Sequence, residues 1–386
     1  MKVRLASNLM VRTVHCILFL VSICLWRCAE AAPASSTDSP IWQTEDGEID
    51  GAKFSIARPS HWNHHVLLLA HGYVPAARPL IVDFAPEQVA YRTLLNEGWM
   101  IAKTSYRRNG IIVADAIADL NALRQHIIEK HGAPDRVILE GESMGGLIVT
   151  LMVERDAARY DGAVAIGAAL KIDEPGSRID PSHQPKRPLV FLSNQSELDG
   201  PLAYAAAPTA RADPESIPAV FRVGRNGHVN VNQAERLAAL RALNSWIDSG
   251  RKSLPPYEAG RAYHDATVVP GPAPSQVKQQ SDRRGFTARV THVSQTFGNV
   301  FISAQPADFA AVGIATGQWF ELLAHDKSYR TYYGSDFGSV KEGEWVVFPD
   351  ADGFFCVSRN FADAAGTAGL KAGDSVIIRQ KQAPTN

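Results

Sequence analysis

Between residues 55 and 250 the chain alternates short, continuous apolar runs with longer amphipathic stretches. The apolar runs fall at 66–70, 100–105, 137–140, 163–166, 189–192 and 220–223, and the amphipathic ones at 87–96, 114–129, 145–155 and 233–247. A strand that is apolar at every position must be covered on both faces, and helices between such strands supply the cover. The pattern therefore predicts an α/β domain with a mostly parallel sheet and helices on both sides. Past residue 252 the character changes. Pro255-Pro256, Pro270-Gly271-Pro272-Ala273-Pro274 and a polar stretch read as a linker over 253–284. From 285 to 386 the runs are short, at 286–293, 319–324, 329–333, 344–348, 354–358 and 375–379. Turns such as Asp350-Ala351-Asp352-Gly353 separate them, which predicts a smaller, mostly-β, barrel-like domain with one or two short helices.

The first 31 residues follow a third pattern. Lys2, Arg4 and Arg12 precede an unbroken apolar run from Cys16 to Trp26, and small residues stand at Ala29 and Ala31. That order predicts a signal peptide over 1–31, cleaved after Ala31. A membrane span takes about 20 apolar residues, and this run is little over half that. The expectation is an exported protein, periplasmic or extracellular, with no stable membrane insertion after cleavage and a first domain over 32–252. Cleavage removes Lys2, Arg4, Arg12, Arg27 and Glu30, so the formal net charge moves from −1 to −4. Neither value gives a reason to expect nucleic acid as a partner. With 45% hydrophobic and 20% charged residues the composition excludes a disordered or collagen-like chain. Cys16, Cys24 and Cys28 leave with the signal, so Cys356 has no intramolecular disulfide partner and the fold must rest on its own cores.

Candidate chemistry gathers where the run 137–140 meets Gly141-Glu142-Ser143-Met144-Gly145-Gly146. This is G-x-S-x-G between a predicted strand and a predicted helix, the setting in which a serine is held exposed on a tight turn. A structural glycine–serine turn is the bland alternative. No H-E-x-x-H spacing and no glycine-rich phosphate loop occurs, so no metal or cofactor is expected.

On these residues the segment from about 55 to 250 resembles the α/β-hydrolases. The resemblance implies a nucleophile at Ser143 and an oxyanion site made by the N–H groups of Tyr73, in Ala70-His71-Gly72-Tyr73, and Met144. It implies that His71 shapes that loop and moves no proton. The family order of serine, acid, histidine puts the base at His228, in Gly227-His228-Val229 before the last helix. In Ser193-Asn194-Gln195-Ser196-Glu197-Leu198-Asp199 the spacing favours Glu197 as the acid, with Asp199 as the alternative. Hydrolysis of a small-molecule or polymeric carboxylic ester is the leading expectation, and a secreted serine peptidase of the prolyl-oligopeptidase type is the alternative. Residues 168–188 leave room for a short lid only, and Tyr106, Arg107 or Arg108 either contact a substrate carboxylate or aromatic group or pair with surface acids.

The second domain, over about 285–379, resembles the smaller β domain of the S-adenosylmethionine-dependent chlorinases, fluorinases and hydroxide adenosyltransferases. The segments carrying this are Phe297-Gly298-Asn299, Asp350-Ala351-Asp352-Gly353 and Ser358-Arg359-Asn360-Phe361-Ala362. The resemblance implies ligand-facing positions at Phe297, Asn299, Ser358, Arg359 and Ala362. That family's catalytic domain has no counterpart here, Gln295 stands where its aspartate is expected, and Ile302-Ser303 replaces its Thr-Asn. These departures favour a scaffold, an oligomerisation surface or a wall over the hydrolase cleft. The reading from another class is a protein that binds a nucleoside or S-adenosylmethionine and carries a vestigial hydrolase domain.

Overall fold

A computed structural model describes residues 41–172, 174, 179–211, 217–250, 254, 262–269 and 275–380, so the predicted signal peptide lies outside the described residues. All of these belong to one unit, Pro40–Asn386. The first sheet is built from β1 (Trp42–Ile49), β2 (Ala52–Pro59), β3 (His65–Ala70), β4 (Met100–Thr104), β5 (Arg136–Glu142), β6 (Gly162–Ile166), β7 (Leu189–Asn194), β8 (Ala219–Val223) and β9 (His264–Asp265). Their order is β1-β2-β4-β3-β5-β6-β7-β8-β9. From β4 to β9 every pairing is parallel, with Val66 on β3 opposite both Met100 and Val137. The β1–β2 hairpin is antiparallel and turns at Asp50-Gly51, both at positive φ as a tight hairpin turn requires.

Helices α1 (Val89–Asn96), α2 (Val113–His131), α3 (Met144–Arg155), α4 (Asp199–Ala206) and α5 (Gln233–Asp248) cover the sheet. Alternation along the strands explains the two cores. Val66, Leu68 and Ala70 point to the α2–α3 face, whereas Leu67 and Leu69 point to the α1–α5 face. This is why the central strands read as apolar throughout. The β1–β2 hairpin escapes the pattern because β1, Trp42–Ile49, is a largely exposed, mostly polar edge strand that pairs in the sheet with β2 alone, its Glu45 also accepting from Lys130 of α2 at 2.8 Å.

The second sheet contains β10 (Lys278–Gln279), β11 (Gly285–Val293), β12 (Val300–Ile302), β13 (Trp319–Ala324), β14 (Lys327–Tyr333), β15 (Trp345–Pro349), β16 (Phe355–Arg359) and β17 (Ser375–Arg379). It runs β11-β12-β16-β15-β14-β13-β17, and β17 pairs back onto β11, closing a seven-stranded barrel with β10 alongside. Closure leaves no open edge within the barrel. Phe309, on the short helix α6 (Pro306–Ala311), is fully buried and packs its ring against Phe286, Phe320, Tyr333 and Phe355. A second short helix, α7 (Ala364–Ala368), is capped by Asp363.

The Pro-rich stretch contributes to both sheets at its ends. His264–Asp265 adds β9 to the first sheet, and Lys278–Gln279 adds β10 to the barrel. Two-residue strands carry no periodicity, so the sequence hides them inside what reads as a linker. Among the described residues no helix is long and apolar enough to cross a membrane.

Candidate active site

Ser143 sits at the junction of β5 and α3 with φ +55° and ψ −115°, a conformation that side-chain-bearing residues seldom adopt. The flanking glycines make the turn possible. A Cβ on Gly141 would stand 2.1 Å from the Gly145 carbonyl oxygen, and one on Gly145 would stand 2.0 Å from that of Ala70. The turn is tied down by the Ser143 N–H, which donates to the Ile166 carbonyl at 2.9 Å. Its side chain is thereby presented at the carboxyl ends of the parallel strands, the region where open α/β sheets bind ligands.

His228 lies on the loop between β8 and α5. Its Nε2 is 2.8 Å from Ser143 Oγ and its Nδ1 is 2.6 Å from Glu197 Oε2. An ionised Glu197 only accepts, so Nδ1 carries the proton and Nε2 of the neutral ring accepts from the serine hydroxyl. Glu197 is fixed in turn by the Val229 N–H, which donates to Oε1 at 3.1 Å. Two further contacts hold the loop. The Asn230 N–H donates to Asn194 Oδ1 and the Asn194 amide donates to the Asn230 carbonyl, both at 2.8 Å. The Gly227 N–H donates to Ser196 Oγ at 3.0 Å. The hydrogen bond to Glu197 raises the His228 pKa, partial burial opposes that, and the charges of Glu197 and Glu142 add to the rise. Asp199 opens α4 and is exposed; among the described residues it makes no hydrogen bond to His228.

The loop after β3 approaches from the other side. A Cβ on Gly72 would be 3.2 Å from Ser143 Cβ and 3.8 Å from its Oγ, so any side chain there would crowd the serine. Tyr73 follows on this loop and Met144 opens α3 directly after the serine. Among the described residues neither backbone N–H is taken up by another group. His71 turns inward: Nδ1 is 2.7 Å from the Gly72 carbonyl, and the ring stacks on Tyr106 at 4.0 Å. Burial, with repulsion from Lys103, lowers its pKa to about 4, so it is neutral and its unprotonated Nε2 is left without a partner. That is a loop-shaping histidine.

Other anticipated contacts fall elsewhere. Tyr106 is fully buried and donates to the His71 carbonyl at 3.2 Å. Arg107 donates to the buried Asp119 at 2.8 Å and Arg108 to Asp115 at 2.6 Å, so the two arginines pair with acids of α2. Of residues 168–188, positions 173 and 175–178 lie outside the described residues; Ile179 packs into the core, and the Ser182 N–H donates to Glu154 at 2.9 Å.

One set of residues near the site leaves almost no advance signal. Arg236 of α5 is buried between Glu140 and Glu142 and donates to both, while Tyr91 donates to Glu140 at 2.9 Å. Burial alone would raise the Glu142 carboxyl, but the positive charges of Arg236 and Lys103 outweigh it and hold its pKa below the ordinary range. The residue before the serine is thus anchored through its charge to the helix after His228. A charged residue within an apolar run, as at Glu140, is the one trace of this in the sequence.

In the barrel, Ser358 is fully buried and donates to Asn299 Oδ1 at 2.6 Å. Arg359 donates to the Gly343 carbonyl at 3.0 Å and to Thr367, over the Trp345 ring. Ala362 bridges back to Arg359. The Ser358 and Arg359 side chains are thus engaged by groups of the barrel itself. Phe297 differs: it is 44% exposed and lines a cleft with His71, Gly72 and Glu142 of the first domain. Among the described residues no group of three or more His, Cys, Asp or Glu side chains is placed to hold a metal ion.

A serine on a strand–turn–helix elbow, a histidine and a carboxylate in one hydrogen-bonded line, and a parallel sheet beneath define the α/β-hydrolase type of enzyme. Residues 112–196 match the family model described as serine aminopeptidase, S33, and residues 288–377 match the S-adenosylmethionine hydroxide adenosyltransferase C-terminal domain. The chain therefore pairs a hydrolase-type α/β domain with a barrel of the adenosyltransferase C-terminal kind. It is 33% identical over 142 residues to an o-phthalyl amidase of Xanthobacter agilis, covering 35% of this chain and 29% of that protein. The chain thus spans under a third of the length of the curated relative it matches. Among solved structures, an arylesterase is similar at 14% identity over 55% of this chain and 87% of that one, with a TM-score of 0.42. The acylaminoacyl peptidase of Pyrococcus horikoshii is similar at 13% identity over 57% and 43%, with a TM-score of 0.39. A conserved protein from Thermotoga maritima is similar at 21% identity over 36% and 49%, with a TM-score of 0.26.

Proposed function

We propose that this protein is an exported serine hydrolase that cleaves carboxylic esters through an acyl-enzyme on Ser143. The observation that carries the reading is the continuous hydrogen-bonded line from Ser143 Oγ through His228 to Glu197, at 2.8 and 2.6 Å. Ser143 Oγ attacks the acyl carbon and passes its proton to His228 Nε2. The oxyanion is held by the N–H groups of Tyr73 and Met144, at the positive end of α3. Collapse expels the alcohol, which takes the proton from His228, and water repeats the sequence to release the acid. Glu197 keeps Nδ1 protonated and stabilises the imidazolium. Export rests on the basic, apolar and small-residue order of residues 1–31.

Amide cleavage is the second reading, favoured by the stretch resembling o-phthalyl amidase and by the match to the serine aminopeptidase family. Both reactions use the same acyl-enzyme and differ in the leaving group. The test is turnover of 4-nitrophenyl acetate and of the matching anilide by the wild type and by Ser143→Ala. Activity falling by about 10⁴-fold or more in the variant supports the serine mechanism. Equal turnover by the two proteins refutes it.

A further inference from the structure

One loop of the first domain clamps onto the barrel beside the serine. Arg78 donates to Asp363 Oδ2 at 2.6 Å and to the Thr296 carbonyl at 3.1 Å. In return, Asp83 Oδ2 accepts from Ser294 Oγ at 3.1 Å and from the Thr296 N–H at 3.2 Å. The clamp joins residues 78–83 of one domain to 294–296 and Asp363 of the other, and Phe297 follows Thr296. Its N–H donates to Ser294 Oγ at 3.2 Å, which fixes the start of the side chain.

The clamped turn places Phe297 on the wall of a small cleft that opens to solvent. One wall is apolar, made by Val74, Pro79, Ile81 and Phe297, and the other carries the polar groups of Asp83, Lys103 and Asn109. Ile81 and Phe297 are both large hydrophobic residues left exposed, as is Tyr73 on the neighbouring loop. Exposed apolar side chains converging on a cleft beside a reactive group are the mark of a ligand site. The inner end is lined by Gly72 and Glu142, the residues against and directly before Ser143.

Direction decides which part of a substrate enters. The leaving group must receive its proton from His228, so it lies on the His228 side of the serine. Neither His228 nor Glu197 lines this cleft; the oxyanion loop does. The group entering here is the one that stays bonded to Ser143 after the first step. We infer that Phe297 of the barrel is a specificity-determining residue of the hydrolase site, closing an acyl subsite built across the two domains for a flat, aromatic acyl group. This rests on the acyl-enzyme reading of Ser143, and it gives the barrel a direct part in choosing the substrate.

The experiment compares kcat/KM for 4-nitrophenyl benzoate and 4-nitrophenyl acetate, which share a leaving group, in the wild type and in Phe297→Ala. The expected result is a loss of about tenfold on the benzoate and under about threefold on the acetate, the scale of removing one apolar contact from a pocket. Equal losses on both esters, or none on either, would overturn the inference. Calorimetric titration of benzoate into full-length Ser143→Ala, with and without Phe297→Ala, reads the same subsite without turnover. Weaker binding in the double variant supports the inference, and equal binding in the two proteins refutes it. Because the titration needs no chemistry, a failure of the Ser143 mechanism is distinguishable from a failure of the acyl subsite.

Discussion

Ser143 and His228 are held by backbone that resists its own conformation. Ser143 has φ +55° and Val229, next to the histidine, also has φ +55°, so neither loop would keep this shape without its neighbours. Glu197 does two jobs there, accepting from the histidine ring and from the Val229 N–H. This sets a pH prediction. The folded pKa of His228 is raised, chiefly by the bond to Glu197, and the histidine must be neutral to act as a base. The kcat/KM profile should therefore rise with pH to a midpoint above the ordinary histidine value of about 6.5. Glu197→Gln should move that midpoint down and lower the plateau by at least about tenfold; an unchanged midpoint in the variant would contradict the assigned role. Ser143 was legible from its own glycines between a strand and a helix, whereas His228 and Glu197 were reached only through the order and spacing that the α/β-hydrolase resemblance implies, with Asp199 left as the alternative acid. Arg236 was not legible, because its partners Glu140 and Glu142 lie 96 and 94 positions away and nothing local marks the meeting.

Among the elements, α5 carries the most. Asn232 and Glu235 form a reciprocal cap at its start, Glu235 also binds Arg225, and Arg236 reaches back to β5. The barrel joins the same end: the Gln233 N–H donates to Asp352 Oδ1 at 2.9 Å. Beside Asp352 in the β15–β16 turn, Asp350 is half-buried and accepts from the N–H groups of Asp352 and Phe354. Burial raises its pKa to about 7, and the neighbouring Asp352 charge adds to that. Between about pH 4 and pH 7 the unfolded chain has released this proton while the folded one retains it, so stability falls as pH rises through that window. Asp350→Asn keeps the acceptor oxygen and removes the charge. It should raise the melting temperature at pH 8 by several degrees and flatten the slope between pH 4 and 7; a lower melting temperature at pH 8 would contradict this. Element by element, the strands legible in the sequence were the fully apolar ones of the first sheet and the mixed runs of the barrel between its turns. The strands that escaped were polar like β1, only two or three residues long like β9, β10 and β12, or broken by charge like β2, where Lys53 and Arg58 interrupt the apolar positions.

At the scale of the whole molecule, the change in pattern near residue 252 separates two kinds of architecture. What the sequence could not show is where one presses on the other. The clamp at Arg78, Asp83, Thr296 and Asp363 joins positions more than two hundred residues apart, and none of them stands out in its own segment. Its effect is to seat the barrel beside the serine, with Phe297 in the cleft. Everything said about substrate choice depends on Ser143 being the activated nucleophile of this assembly. The most direct measurement is covalent labelling of the full-length protein with a fluorophosphonate probe, read by mass spectrometry of its peptides. The account predicts a single adduct on Ser143, absent in Ser143→Ala and formed at least about a hundredfold more slowly in His228→Ala. Labelling that persists in Ser143→Ala, or a wild-type protein that takes up no probe, would contradict it.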